Sequence, residues 1–256
     1  MGPDPLVRLT GITKSFGGVR ALRGVDLAVA AGEVVALVGH NGAGKSVLVQ
    51  IVSGVFAPSS GRLEVAGREI ALASPNDARR HGIETIFQTL ALADNLDGPA
   101  NFFLGRELTT RLGFLDKRRM AGEARQALLS LNPQMTDIER PVSQMSGGQR
   151  QAIAIARAIH FDVKLLVMDE PTAALGPHET AEVGALIARL RTKGIGILLI
   201  SHDIRDVMRL ADRIVVMKSG EIVGTLDVKA TSEDEVVDLI IRGRREGSGI
   251  RPEAAR

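Results

Sequence analysis

Gly39-His40-Asn41-Gly42-Ala43-Gly44-Lys45-Ser46 is the segment whose residue types and spacing specify chemistry most directly. It fits G-x-x-x-x-G-K-[ST], in which glycines let successive backbone N–H groups converge on phosphate oxygens without obstruction by Cβ atoms. Lys45 is placed to contact β- and γ-phosphates, and Ser46 to ligate Mg²⁺. A second candidate is Asp169-Glu170. Asp169 can hold Mg²⁺, through water, while the adjacent Glu170 can polarise an attacking water. A third is Ser146-Gly147-Gly148-Gln149, where a serine N-cap and two glycines open the first turn of a helix continuing from Arg150 to Ile159. Oriented N–H groups at such a turn face an anion favourably.

These residues need elements that deliver them. Val34-Val35-Ala36-Leu37-Val38 is a continuous apolar run, the pattern of a strand buried on both faces. Val47, Leu48, Ile51 and Val52 then follow at helical spacing, closed by Gly54. Leu165 to Met168 reads as a second buried strand that carries Asp169 to its carboxyl end, where open α/β sheets bind ligands. Ile197 to Ile200 reads as a third, ending at Ser201-His202. Between the last two, Pro177 opens a helix with Val183, Leu186, Ile187 and Leu190 on one face, and Gly194 ends it. Leu6 to Ala31 reads as short strands broken at Gly17-Gly18 and at Gly24. Gly61 to Ile70 reads as a strand pair turning at Gly67, and Val215 to Val223 as a hairpin around Ser219-Gly220. Met120, Ala124, Ala127, Leu128 and Leu131 mark an amphipathic helix inside a helical insert spanning about 95–150. One domain over 1–242 is expected, followed by a flexible tail over 243–256 that is rich in Arg, Gly and Glu.

Composition narrows the classes. The 256 residues are 45% hydrophobic and 24% charged, which excludes a wholly disordered chain. The chain has no Cys, which removes disulfides, thiolate metal sites and Cys nucleophiles. No apolar run reaches the roughly eighteen residues of a membrane span, and no secretion signal is seen, so a cytoplasmic location is expected. Net charge is +2 and aromatic content 3%, so neither charge nor base stacking indicates nucleic acid.

In order and spacing, the phosphate loop, Met145-Ser146-Gly147-Gly148-Gln149, the Asp169-Glu170 strand and His202 resemble the ATP-binding cassette (ABC) family, over about 6–242. The resemblance implies an α/β fold with a P-loop NTPase, RecA-like core, an N-terminal antiparallel β-region and a helical signature subdomain. It implies ATP and Mg²⁺ as ligands. Gly39 to Val47 and Ser146 to Gln149 would bind ATP. Ser46, Gln88 and Asp169 would bind the metal, and Glu170, His202 and Gln88 would be catalytic. Ser146, Gly147 and Gly148 would meet the γ-phosphate held by the other cassette of a homodimer. Phe16 resembles the aromatic that stacks on adenine; from the residues alone, a Phe buried at a strand end is the alternative. Gln88 resembles the residue that reaches Mg²⁺ and faces the transporter, an exposed loop Gln being the alternative. His202 resembles the switch histidine. His81, His160 and His178 read as structural, and so, apart from its backbone, does His40.

Three positions depart from the family pattern: Met145 replaces Leu, Val47 replaces Thr, and Gly176 stands where many cassettes have Asp. Gly82 to Leu92, Asn101 to Glu107 and Glu170 to Pro177 are similar to the monosaccharide-import group of ribose, xylose and fructose type, in its single-cassette form. That resemblance implies an ATPase on the cytoplasmic face of the membrane. Its partners would be integral-membrane permease subunits and, indirectly, an extracytoplasmic solute-binding protein, with no nucleic acid. An importer of another solute, such as branched-chain amino acids, or a non-transport mechanical ATPase are the alternatives.

Overall fold

A four-stranded antiparallel sheet and a six-stranded, mainly parallel sheet organise the computed structural model, which describes residues 5–133, 135, 137–160, 162–173 and 175–243. In chain order the elements are β1 (Val7–Phe16), β2 (Val19–Val29), β3 (Val34–Val38), α1 (Lys45–Val52), β4 (Ser60–Val65), β5 (Arg68–Ile70), α2 (Pro75–Arg80), β6 (Ile83–Ile86), α3 (Gly98–Phe102), α4 (Lys117–Leu131), α5 (Gly147–Ile159), β7 (Leu165–Asp169), α6 (Pro177–Thr192), β8 (Gly196–Ile200), α7 (Ile204–Leu210), β9 (Arg213–Lys218), β10 (Glu221–Asp227) and α8 (Glu233–Arg242). The antiparallel sheet runs β2-β1-β4-β5; the second runs β10-β9-β3-β8-β7-β6, parallel except for the β9–β10 hairpin.

The apolar runs become strands buried on both faces, as their continuity predicts. Along β3, Val34, Ala36 and Val38 enter a core shared with α3 to α8, while Val35 and Leu37 enter a second core with α1 and the antiparallel sheet. β7 and β8 divide the same way: Leu166, Met168, Ile197 and Leu199 go to the first core, and Leu165, Val167, Leu198 and Ile200 to the second. The period-2 alternation of a strand therefore serves two hydrophobic layers at once. α6 buries Val183, Leu186, Ile187 and Leu190, the face read from its spacing, and Pro177 occupies its first turn.

One expectation is corrected. Gly24 does not interrupt the N-terminal strands. β2 runs through it, with Gly24 bulged between the pairs Thr13↔Arg23 and Ile12↔Val25 at φ +100°. A bulge absorbs one extra residue and increases the twist without ending the ladder, and glycine takes the left-handed backbone at no steric cost. The 95–150 region holds α3, α4 and the start of α5, with a bridge between Asp97 and Pro141 closing its base. Most of the expected tail, from residue 244 on, and Ala174 lie outside the described residues.

Candidate functional site

Strand order sets the site. β3, β8, β7 and β6 lie side by side and parallel, so their carboxyl ends share one edge. Register aligns those ends: Leu37 pairs with Ile200, Ile200 with Asp169, and Met168 with Ile86. Hence the 39–46 loop, His202, Asp169-Glu170 and Gln88 all emerge on the same rim, each within a few residues of its strand. This is the edge at which open α/β sheets bind ligands.

The loop wraps tightly at its start. A Cβ at Gly39 would run into the Met217 carbonyl, so only glycine lets the chain leave β3 beside β9. Ala43 N–H donates to the His40 carbonyl at 3.1 Å, closing the loop, and Gly44 caps α1 in the left-handed conformation. The Lys45 ammonium donates to the carbonyls of Gly39 (2.6 Å) and His40 (3.1 Å), so its charge sits at the loop mouth. Partial burial lowers its pKa, and the carboxylates of Glu170 and Asp169 pull the other way. Ser46 is exposed, whereas Val47 packs against the second core. The missing threonine hydroxyl at 47 is thus replaced by apolar contact.

Asp169 is half-buried, and its pKa is raised, first by desolvation and then by Glu170, with Lys45 opposing. Two neighbouring carboxylates face one ammonium, a donor set that a divalent cation would relieve. Among the described residues no cluster of three His, Asp or Glu forms a protein cage for a metal. Mg²⁺ needs no such cage, since it is bound by one or two carboxylates together with substrate phosphates. The residues present therefore fit Mg²⁺ beside a nucleotide.

Glu170 has φ +51°, unusual for a non-glycine residue, and its N–H donates to the Ile200 carbonyl at 2.8 Å. Its Oε2 lies 2.9 Å from His202 Nδ1. A carboxylate can only accept, so Nδ1 carries the proton and Nε2 is left to face a ligand. A cleft of about 510 Å³ opens beside this pair, between Gly39–Asn41, Ser201–His202 and the Val237, Ile240 and Ile241 face of α8.

Phe16 is 42% exposed, with its ring edge against Phe56 at 5.3 Å and the Lys14 ammonium 5.2 Å from its centroid. The buried alternative is thereby removed, and the Lys14 ammonium lies over the Phe16 ring. Gln88 is exposed in the loop after β6. Ser146 caps α5, its Oγ accepting from Gln149 N–H at 3.3 Å, so the hydroxyl proton stays available to an acceptor. The Gln149 side chain is committed elsewhere: Oε1 accepts from Ser146 N–H at 3.1 Å and from Arg140 at 2.6 Å. α5 packs on α3, α4, α6 and β6.

Spacing alone did not reveal Glu179. From the first turn of α6, its carboxylate accepts from Gly176 N–H (3.1 Å) and from Gly148 N–H (3.4 Å), and these bonds lower its pKa. It ties the loop after Glu170 to the first turn of α5. A Cβ at Gly148 would meet the end of the Glu182 side chain, which would have to turn aside. The available signal was Glu at the third position of a helix opened by Pro177. Glu84, buried in β6, was also missed. It pairs with Arg79 (3.3 Å) and Arg106 (3.1 Å) and thereby joins the 82–92 and 101–107 segments. Asn101 is fully buried, its carboxamide holding Ala93, Leu96 and Asp97.

A glycine-rich loop into a helix, an aspartate at a neighbouring strand end and a strained glutamate hydrogen-bonded to a histidine define a P-loop nucleotide-binding ATPase. The family model described as ABC transporter matches residues 22–173, and the chain belongs to that family. It is 45% identical to a xylose/arabinose import ATP-binding protein of Sulfolobus acidocaldarius, over 92% of this chain and 93% of that protein. It is 44% identical to a ribose import ATP-binding protein of Rubrobacter xylanophilus, over 94% of this chain but only 46% of that protein. The chain thus spans about half the length of the ribose relatives it matches. A solved nucleotide-free ATP-binding cassette from an ABC transporter superposes with a TM-score of 0.80 at 26% identity, covering 93% of this chain and 98% of that one.

Proposed function

We propose that this chain is the ATP-hydrolysing subunit of a monosaccharide importer, peripheral to the cytoplasmic face of a membrane and coupled to permease subunits. The observation that carries the ATPase reading is the shared rim on which Lys45, Asp169, Glu170 and His202 converge. The sugar reading is supported by the relative named for xylose and arabinose, which matches over nearly its whole length. Among the described residues no helix is long and apolar enough to cross a membrane, so transport would need a partner that does.

In this reading the loop N–H groups and Lys45 bind the β- and γ-phosphates. Phe16 stacks on adenine. Ser46, Asp169 and Gln88 hold Mg²⁺, which when bound neutralises charge shared by those phosphates. Glu170 accepts a hydrogen bond from the attacking water and orients it in line with the γ-phosphorus, and His202 Nε2 contacts a γ-oxygen. The Ser146 hydroxyl and the α5 N-terminus cover the γ-phosphate of a second copy. Two chains pair head to tail through an isologous interface. ATP bridges them, and its hydrolysis removes the bridge.

The test uses tagged Glu170→Gln protein. Its ATPase rate should fall by about 100-fold or more, while ATP binding and an ATP-dependent dimer persist. Lys45→Ala should abolish both hydrolysis and ATP-driven dimerisation. With ATP and mildly solubilised membranes, Glu170→Gln should capture a multi-span permease and a sugar-binding protein. Capture of ribosomal or DNA-bound proteins alone would defeat the importer reading.

A further inference from the structure

The loop between α3 and α4 ends in an apolar tip that the nucleotide site does not use. Thr109 and Leu115 form an antiparallel bridge, Thr110 N–H donates to the Phe114 carbonyl at 2.8 Å, and Gly113 N–H to the Thr110 carbonyl at 3.0 Å. Gly113 turns the chain at φ +83°. The turn is thus held by its own backbone bonds, yet it leaves Leu112 84%, Phe114 72% and Leu115 52% exposed. Three adjacent large apolar side chains on one tip form a patch, unlike the scattered exposed residues of an ordinary surface.

Cations surround it. Arg111 lies in the turn, and Lys117, Arg118 and Arg119 form the first turn of α4. Only Arg119 is matched locally, by Glu123 at 2.8 Å; among the described residues Arg111, Lys117 and Arg118 form no ion pair. Asp116 caps α4, its carboxylate accepting from Arg119 N–H at 3.1 Å, but the first turn itself holds no acidic residue. One capping carboxylate thus faces three consecutive cations, where a helix N-terminus favours acidic residues.

We propose that Leu112, Phe114 and Leu115, with Arg111, Lys117 and Arg118, form an anchor that docks on an anionic lipid surface. Cations take the phosphate headgroups while the apolar tip enters the headgroup boundary. Shape favours lipid over an acidic protein segment. The tip is a turn that leaves Leu112, Phe114 and Leu115 exposed, a knob around which a fluid interface can deform. Position agrees. The loop leaves directly from Leu104, Gly105 and Arg106, which line a cleft of about 390 Å³ with Phe87 and Thr89 beside Gln88. This last point rests on the reading that the Gln88 side faces the permease.

The experiment is flotation of the purified full chain with vesicles, without permease. Binding is expected to vesicles containing phosphatidylglycerol, to be weak on pure phosphatidylcholine, and to fade in high salt. Arg111→Gln, Lys117→Gln and Arg118→Gln should each lower partitioning by about fivefold. Leu112→Ser with Phe114→Ser should remove most of it, with ATPase activity in solution unchanged as the check on folding. Equal binding to both vesicle types, or variants that float like the parent, would overturn the anchor. So would absence of vesicle binding combined with permease capture that is lost in the tip variants, which would assign the tip to a protein contact. Because the vesicles contain no permease, a negative flotation result leaves the importer reading intact. Failure of the parent chain to capture any permease would strike that reading alone.

Discussion

Asp169 shows how function opposes stability at a single side chain. Burial and the adjacent Glu170 raise its pKa, so its ionised form is disfavoured in the folded protein relative to the unfolded chain. Asp169→Asn should therefore raise Tm of the nucleotide-free protein by about 1–2 °C, a figure discounted for partial solvent screening. The same change should sharply reduce Mg²⁺-dependent hydrolysis. The stability gain should be full at neutral pH. It should vanish as pH falls through the raised pKa of Asp169, where the wild-type carboxyl is itself neutral. Thermal melts of the two proteins across pH 3 to 8, an interval set about the ordinary carboxylate range, check the sign. A gain that persists at the acid end would show that the Asp169 charge is not its source. The left-handed backbone of Glu170 belongs to the same pattern, since strained φ values persist where surrounding structure holds a functional side chain in place.

At the scale of elements, α5 and α6 are joined by Glu179. The loop after β7 and the N-terminus that carries Ser146 are thereby held as one unit, with Gly176 supplying an N–H. Glu179→Ala should lower Tm and reduce kcat several-fold with little change in KM for ATP, because Lys45 and its loop are untouched. Glu179→Gln keeps one acceptor and should fall between the two. Because the N–H bonds, Gly176 first, hold the Glu179 pKa down, its stabilising contribution is present above the ordinary carboxylate range. It should be lost as pH falls through the depressed value, so parent and Glu179→Gln melts should converge in acid. Such through-space ties are not written in residue spacing, and neither was β6. Ile83-Glu84-Thr85-Ile86 carries a charged residue, and its ion pairs with Arg79 and Arg106 make it burial-competent. β3, β7, β8 and α6 were legible because burial on two faces or on one stripe leaves a continuous or periodic apolar signal. Gly24 misled because a bulge and a break use the same residue. The shape of the 39–46 loop was legible for a different reason: its glycine pattern falls within eight consecutive positions. The exposure of Phe16 and the Glu170–His202 bond instead depend on which strands end side by side.

At the scale of the whole molecule, the proposed head-to-tail pairing has a consequence that subunit mixing can read. In that pairing each site would be built from Lys45 of one chain and Ser146 of the other. Lys45→Ala and Ser146→Arg chains should each be inactive alone, because every site in either homodimer carries a defect. Mixed, they form heterodimers in which one site joins intact Lys45 of the second chain to intact Ser146 of the first, while both defects fall in the other site. At equal concentrations half the encounters are between unlike chains, and only those dimers hold an intact site, one of two; activity should therefore recover to about one quarter of the parent value if sites act independently and one bound ATP suffices to close the mixed dimer. Recovery well below that level, but above zero, would mean that one site needs ATP hydrolysis or closure at its partner. Glu179 is the residue whose removal should then raise the recovered fraction, since it carries the state of the α5 N-terminus to the loop after Glu170. No recovery at all would count against sites built from Lys45 of one chain and Ser146 of the other.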